Sequence, residues 1–155
     1  SSLKAATRAK AKGYAQVLWL DAAHEGIEEV GTMNVFFVYE NEVVTPALNG
    51  SILAGGTRSC IIDLLKHKQK NVVERKVTIQ EVIEGTKSGK LKEAFGTGTA
   101  AVISPIGLLH YQNKDYVINN QEMGILSSQL LNDVTQIQNG TAPDIFNWIT
   151  ALDQI

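Results

Sequence analysis

The sequence predicts a single mixed α/β domain. Its 155 residues suffice for one core and not for two. Short apolar runs bounded by turn residues recur along it, and three or four stretches with helical spacing are interleaved with them. The order mixes strands, hairpins and helices, unlike the strict alternation of a doubly wound sheet. A hydrophobic content of 44% with 19% charged residues is that of a globular protein.

The first dozen residues, rich in Ala, Lys and Arg, predict a helix stopped at Gly13. Gln16–Asp21 is a short apolar run that reads as a buried strand, and Ala23-His24-Glu25-Gly26 turns it into Ile27–Val30 as a hairpin. Asn34–Tyr39 is the clearest strand; Glu40-Asn41-Glu42 turns it into Val43–Thr45, which Pro46 ends. Gly50–Thr57 is a loop that opens a helix from about Arg58 to Lys70, with Ile61, Ile62, Leu64 and Leu65 on its buried face. Val72–Val77 reads as a strand, and Thr78-Ile79-Gln80-Glu81 as a capping box for a helix over 79–87. Leu91–Phe95 runs into a glycine loop from which Ala100–Ser104 emerges as a strand. Leu108–Gln112 and Tyr116–Asn119 flank Asn113-Lys114-Asp115 as a hairpin. A last helix is marked by Ile125, Leu130, Leu131, Val134 and Ile137 and closed by Gly140, and Phe146 and Trp148 are large enough to be docked.

A net charge of −2 with scattered basic residues argues against a nucleic-acid surface; Lys66, Lys68 and Lys70 read as the solvated end of a helix. The single cysteine, Cys60, excludes an intrachain disulfide and a multi-cysteine metal site, and its helical setting predicts a buried structural thiol. His24, His67 and His110 share no metal spacing, and no metal site is expected. Without a long apolar run or a signal-peptide core, the expected location is cytoplasmic. The sequence opens in what looks like mid-helix, without an initiator methionine, and the expectation is a protein truncated at its N-terminus.

Two loops pair glycine with threonine: Gly55-Gly56-Thr57 and Gly96-Thr97-Gly98-Thr99. Glycine lets backbone approach an anion, and the first turn of a helix offers unpaired amides. Each loop alone also fits a plain turn. Neither has the lysine of a P-loop or the spacing of a dinucleotide fingerprint. Glu28-Glu29 is equally open by itself: adjacent strand residues face opposite ways, so one could point into a pocket, or both could form an exposed acidic pair.

In order and spacing, Glu29-Val30-Gly31-Thr32-Met33-Asn34, then Asn49-Gly50-Ser51-Ile52-Leu53-x-Gly55-x-Thr57-Arg58, then Phe95-Gly96-Thr97-Gly98-Thr99-Ala100-Ala101 resembles the branched-chain amino-acid aminotransferases, a family of fold type IV pyridoxal-phosphate enzymes. Gln16–Asp21 and Thr45-Pro46-Ala47-Leu48 look like that family too, and the likeness runs from Ser1 to about Gly140. D-amino-acid aminotransferases and aminodeoxychorismate lyases share the fold but usually carry other residues after the glutamate.

The resemblance implies the α/β pseudo-barrel of the family's larger, C-terminal domain, here residues 1–155, with the N-terminal domain and the Schiff-base lysine lying outside the chain. It implies pyridoxal 5'-phosphate as cofactor, with Glu29 pairing the pyridine nitrogen and Gly56, Thr57, Gly98 and Thr99 around the phosphate. Thr99 and Ala100 would bind the substrate α-carboxylate, and Thr32 and Met33 would lie near the side-chain pocket. No catalytic residue is assigned within the chain. The implied reaction transfers the amino group of leucine, isoleucine or valine to 2-oxoglutarate, in a homodimeric enzyme of amino-acid metabolism; this chain alone is expected to be an inactive fragment. The first loop departs from the family, which usually has proline at Ala54 and a branched apolar residue at Gly56, so phosphate is expected to bind a less preorganised loop. Two other readings stand beside this one: a non-catalytic module binding phosphate or a small metabolite, and a D-amino-acid aminotransferase.

Overall fold

The computed structural model describes residues 2–150. Helix α1 (Ser2–Ala11) ends in a turn at Gly13, whose φ of +86° is left-handed. The β1–β2 hairpin (Leu18–Leu20 and Ile27–Val30) follows, then β3 (Asn34–Tyr39) and β4 (Val43–Pro46). Next come α2 (Gly56–His67), β5 (Val72–Arg75), α3 (Ile79–Ser88) and β6 (Leu91–Thr97). The short β7 (Ser104–Pro105), the β8–β9 hairpin (Leu108–Tyr111 and Lys114–Val117) and α4 (Ile125–Gln138) complete the order.

Five strands form one sheet in the order β5-β4-β3-β6-β7, antiparallel except for β4 and β5, which are parallel and joined through α2. The mixed α/β architecture is as expected. Among the described residues the sheet stays open, and the β1–β2 and β8–β9 ribbons stand beside it as separate two-stranded sheets.

Strand β3 is apolar on both sides because both faces of the sheet are covered. Phe36 and Val38 pack toward Ile61, Leu65, Leu130 and Val134 of α2 and α4, with Phe36 stacked on Phe95 at 5.3 Å. Val35 and Phe37 pack toward Val77, Ile79, Val82 and Ile83 on the α3 side. Phe146 and Trp148 stack at 4.5 Å and pack against the first of these clusters, so the tail is docked as predicted.

Several element boundaries differ from expectation. Helix α2 starts at Gly56 and ends at His67; Lys68 forms its C-cap and pairs with Asp133 at 2.7 Å, so it ties α2 to α4. Half of the capping box forms. Thr78 Oγ1 accepts the Glu81 amide at 3.1 Å, while the Glu81 carboxylate is drawn to the Arg75 guanidinium. The strand expected over 100–104 is reduced to Ser104–Pro105, because 99–102 is bent and Thr99–Ala101 are exposed, away from any partner strand. The β8–β9 turn falls on Gln112-Asn113, with φ of 48° and 61°, since a two-residue hairpin turn favours two left-handed residues. In α4, Leu126 takes the buried position expected of Ile125, which is 78% exposed. Cys60 is half-buried, not fully enclosed.

Strand directions gather the motif residues. The start of β3 and the ends of β4, β5 and β6 lie at the same end of the sheet, which follows from the antiparallel β3–β4 and β3–β6 pairings and the parallel β4–β5 pairing. Both glycine loops leave the sheet there.

Candidate cofactor site

Helix α2 begins at that sheet end. Its N-cap, Gly55, has extended backbone and gives no side-chain cap, so the first-turn amides over Gly56 and Thr57 meet no capping oxygen. A Cβ placed on Gly56 would meet nothing within 4 Å, which leaves the approach to those amides open. No side-chain cation comes from Arg58: its guanidinium is buried, 2.8 Å from Glu74 and 3.0 Å from the Pro46 carbonyl. The attraction this cradle has for an anion is therefore that of backbone amides and the helix dipole.

Glu29 on β2 reaches the loop before α2. Its Oε1 accepts the Leu53 amide at 2.9 Å, and its Oε2 has no hydrogen-bond partner among the described residues. Glu28, facing the other way on the strand, meets the same loop: its Oε1 accepts the Ser51 hydroxyl at 2.6 Å. The acidic pair is thus neither simply exposed nor divided between pocket and solvent, because the loop 47–55 engages both carboxylates.

The second glycine loop is brought alongside by the β3–β6 ladder, in which Asn34 pairs with Thr97 and Val35 with Gly96. Met33 lies across this strand end. A Cβ on Gly96 would come within 2.9 Å of Val30 Cγ1 and 3.0 Å of Met33 Cε, and one on Gly98 within 3.0 Å of Met33 Cγ. Both glycines are needed for the close approach of a neighbouring side chain. The Thr97 hydroxyl is buried with no hydrogen-bond partner, an unmet donor at the root of the loop. Thr99 and Ala100 lie beyond it, exposed, as is Thr32.

Glu29, Gly56 and Thr57 are therefore connected through a single loop, and Met33, Gly98 and Asn34 connect that region to the second loop. Sequence reasoning missed Asn34, Leu53 and Thr97 as parts of the arrangement. A buried asparagine at the start of an apolar strand was the available signal for the first. Leu53 is 69% exposed although its backbone is gripped, which no hydrophobic pattern announces.

A separate cavity of about 600 Å³ lies between α1, the β1–β2 hairpin and the segment Ser104–Tyr111. Val30, Met33 and Phe37 contribute to its apolar wall, but Glu29, Gly56 and Thr57 do not line it. It is distinct from the anion cradle. The described residues hold no group of His, Cys, Asp and Glu fit for a metal ion, and no helix long and apolar enough to cross a membrane.

An uncapped helix start, a carboxylate with one oxygen unbonded and a buried unsatisfied hydroxyl thus lie at one end of the sheet, among the described residues. The family follows from the sequence match: the model of amino-transferase class IV fits residues 1–109, and the chain belongs to that family. It is 54% identical over 151 residues to branched-chain-amino-acid aminotransferase 2 of Bacillus subtilis (strain 168), covering 97% of this chain and 42% of that protein. Among solved structures, the branched-chain amino acid aminotransferase of Escherichia coli superposes with a TM-score of 0.84 at 25% identity, over 99% of this chain and 48% of that one. The branched-chain aminotransferase of the thermophilic archaeon Thermoproteus uzoniensis, solved with norvaline, superposes with a TM-score of 0.79 at 28% identity, over 96% of this chain and 46% of its own. The chain thus spans about two-fifths of the length of that curated Bacillus relative.

Proposed function

We propose that this chain is the cofactor-binding, C-terminal part of a pyridoxal 5'-phosphate-dependent branched-chain amino-acid aminotransferase. One observation carries the reading: the Glu29 carboxylate bonds the Leu53 amide at 2.9 Å, three residues before the uncapped start of α2. This contact supports the reading because it ties the carboxylate proposed for the ring nitrogen to the loop that leads into the proposed phosphate cradle. The residues present fit the cofactor, since the Gly56 position is open, the cradle has no competing side-chain cap and the buried Thr97 hydroxyl has no partner.

When bound, the cofactor supplies an electron sink through its protonated ring nitrogen. The chain's contribution is to keep that proton in place. The free Oε2 of Glu29 would accept a charge-assisted hydrogen bond from the ring N–H, with Oε1 on the Leu53 amide. The amides of Gly56 and Thr57 and the Thr57 hydroxyl would hold the phosphate, with Gly98 and Thr99 of the second loop as its further contacts. The Thr99 and Ala100 amides would orient the substrate α-carboxylate, and Thr32 and Met33 would border the space for a branched apolar side chain. Leucine, isoleucine or valine would donate the amino group and 2-oxoglutarate accept it, in a cytoplasmic homodimer. No lysine is assigned among these contacts.

Pyridoxamine 5'-phosphate needs no lysine to bind and is the probe of choice. Titration into the 155-residue chain should show saturable binding, weakened about tenfold or more by Glu29→Ala and by Thr57→Ala, as loss of a charge-assisted or phosphate hydrogen bond predicts. Absence of binding, or binding indifferent to both substitutions, would overturn the assignment.

A further inference from the structure

Asn34 has no role in the proposed cofactor contacts, yet it is 5% exposed and sits where the two loops meet. Its Nδ2 donates to the Leu53 carbonyl at 2.7 Å. The Leu53 amide, on the other side of the same residue, donates to Glu29 Oε1 at 2.9 Å. One loop residue is thus held at both of its backbone groups by side chains from neighbouring strands. Packing holds the neighbouring Ile52, 7% exposed, but not Leu53 itself, whose side chain is 69% exposed. The loop 47–55 has no regular structure of its own to stiffen it.

What the grip controls lies immediately downstream. The Gly55 amide donates to the Leu53 carbonyl at 2.9 Å, so the oxygen bonded by Asn34 also ties down the N-cap of α2. Gly55 has ordinary extended backbone, with φ −67° and ψ 137°. Its lack of a side chain is required for another reason: a Cβ there would run into Asn34 Oδ1. Asn34 is also the backbone register partner of Thr97, at the root of the second loop.

We propose that Asn34 is a positioning residue that, together with Glu29, clamps Leu53 and so couples the ring-nitrogen contact to the phosphate cradle as one mechanical unit. The proposal rests on the cofactor reading above. It gives Glu29 two simultaneous functions, one oxygen for the ligand and one for the loop that carries the cradle. Release of either end of the clamp frees Leu53, and the amides of Gly56 and Thr57 lose their fixed aim.

The test compares pyridoxamine 5'-phosphate with pyridoxamine, which lacks the phosphate, and follows exchange of the Leu53 amide by NMR. The ratio of the two affinities measures what the cradle contributes. In Asn34→Ala the Leu53 amide should exchange about tenfold faster, and the ratio should fall about tenfold, the effect of roughly one anchoring hydrogen bond. Gly55→Ala leaves the Asn34 amide chemically intact but pushes it aside; it should reproduce both changes, and it carries the test if Asn34→Ala does not fold. Glu29→Ala distinguishes coupling from simple contact. An uncoupled Glu29 would weaken both ligands equally and leave the ratio unchanged, whereas the clamp requires the ratio to fall. An unchanged ratio in Glu29→Ala, or unchanged Leu53 exchange in Asn34→Ala and Gly55→Ala, overturns the proposal. Failure of the wild-type chain to prefer the phosphorylated ligand overturns the cofactor reading instead, and the exchange measurement still reports whether Leu53 is anchored.

Discussion

Glu93 caps a helix far from it in sequence. From the middle of β6, its Oε1 accepts the Leu126 amide at 2.9 Å, while its Oε2 accepts the Ser127 amide at 2.9 Å and the Ser127 hydroxyl at 2.6 Å. The N-cap residue of α4, Gly124, has no side chain to do this, and a Cβ there would collide with the Glu93 carboxylate. Glu93→Ala leaves buried amides without an acceptor and should cost about 3 kcal/mol. That corresponds to a fall in Tm of roughly 6–12 °C for a chain of this size. Glu93→Gln, which keeps an acceptor oxygen, should lose clearly less. Thermal and urea melts of the two variants provide the check.

Tyr39 predicts an alkaline limit to stability. Its hydroxyl is buried without a partner, and burial pushes it up to about 12 from an ordinary 10.0, with the Glu81 and Glu42 charges adding to the shift and Arg75 opposing it. The folded state therefore holds this proton more tightly than the unfolded chain does. Stability is full below pH 10 and declines as the pH rises from about 10 toward 12. In Tyr39→Phe this part of the decline should vanish, with stability at neutral pH unchanged or slightly higher because an unsatisfied hydroxyl is gone. Urea midpoints measured against pH in both proteins decide it; an identical alkaline decline in the two would refute the assignment.

Asp144 predicts a response at the acid end. Its carboxylate accepts the amides of Phe146 at 3.3 Å and Ile149 at 2.8 Å, holding the turn on which Phe146 and Trp148 stack. Desolvation pushes this carboxyl up, but the amides of Ile149, Trp148, Phe146 and Asn147 together bring it below its ordinary 3.8. Its contribution is thus present above about pH 4 and is lost as the pH falls through the lowered folded value. In a Trp19→Phe background, Trp148 emission should shift to the red below about pH 4. Asp144→Asn should show a looser tail already at neutral pH, without the acid step.

The two adjacent glycines of the first loop should respond oppositely to alanine. Gly56 has open space at its Cβ position and lies at the start of a helix, whereas a Cβ on Gly55 would meet Asn34. Gly56→Ala should stabilise the chain by about 0.5–1 kcal/mol, chiefly by reducing the freedom of the unfolded state. Differential scanning calorimetry should place its Tm above wild type and that of Gly55→Ala below.

Transaminase turnover by this chain alone should be negligible. The assembled carboxylate, amides and hydroxyls can hold and orient, but no lysine is brought into their hydrogen-bond network, among the described residues, to shuttle the proton at the reacting carbon. An assay with leucine and 2-oxoglutarate, using purified chain and added cofactor, checks this. Turnover comparable to that of a full-length family member would sink it.

Strand β3, the Gly13 and Gly140 helix stops, the Thr78 cap and the paired glycine loops were legible in the sequence because each rests on a local signal. A short unbroken run of apolar β-forming residues, a left-handed residue or a capping oxygen is decided within a few residues. The misses share a different origin. Glu81 had two possible partners, and Arg75 prevailed over the local amide through an ion pair that tertiary placement made available. Residues 100–102, Ala-Ala-Val, are apolar but find no strand beside them, and Ile125 lost its buried place because Glu93 grips the next two amides of α4. The Asn34–Leu53–Glu29 clamp was unreadable for the same reason: both side chains close on backbone atoms of a loop residue, which sequence patterns do not encode.

The docked tail has a practical consequence for the lone thiol on α2. Cys60 is half-buried, and burial, then the nearby charges of Asp63 and Asp144, keep its sulfur protonated to higher pH than usual. Alkylating reagents should therefore modify Cys60 more slowly at neutral pH than they modify an ordinary exposed thiol. The rate of maleimide attachment, read by mass spectrometry across pH, thus reports how strongly the helix environment holds the proton on this one sulfur.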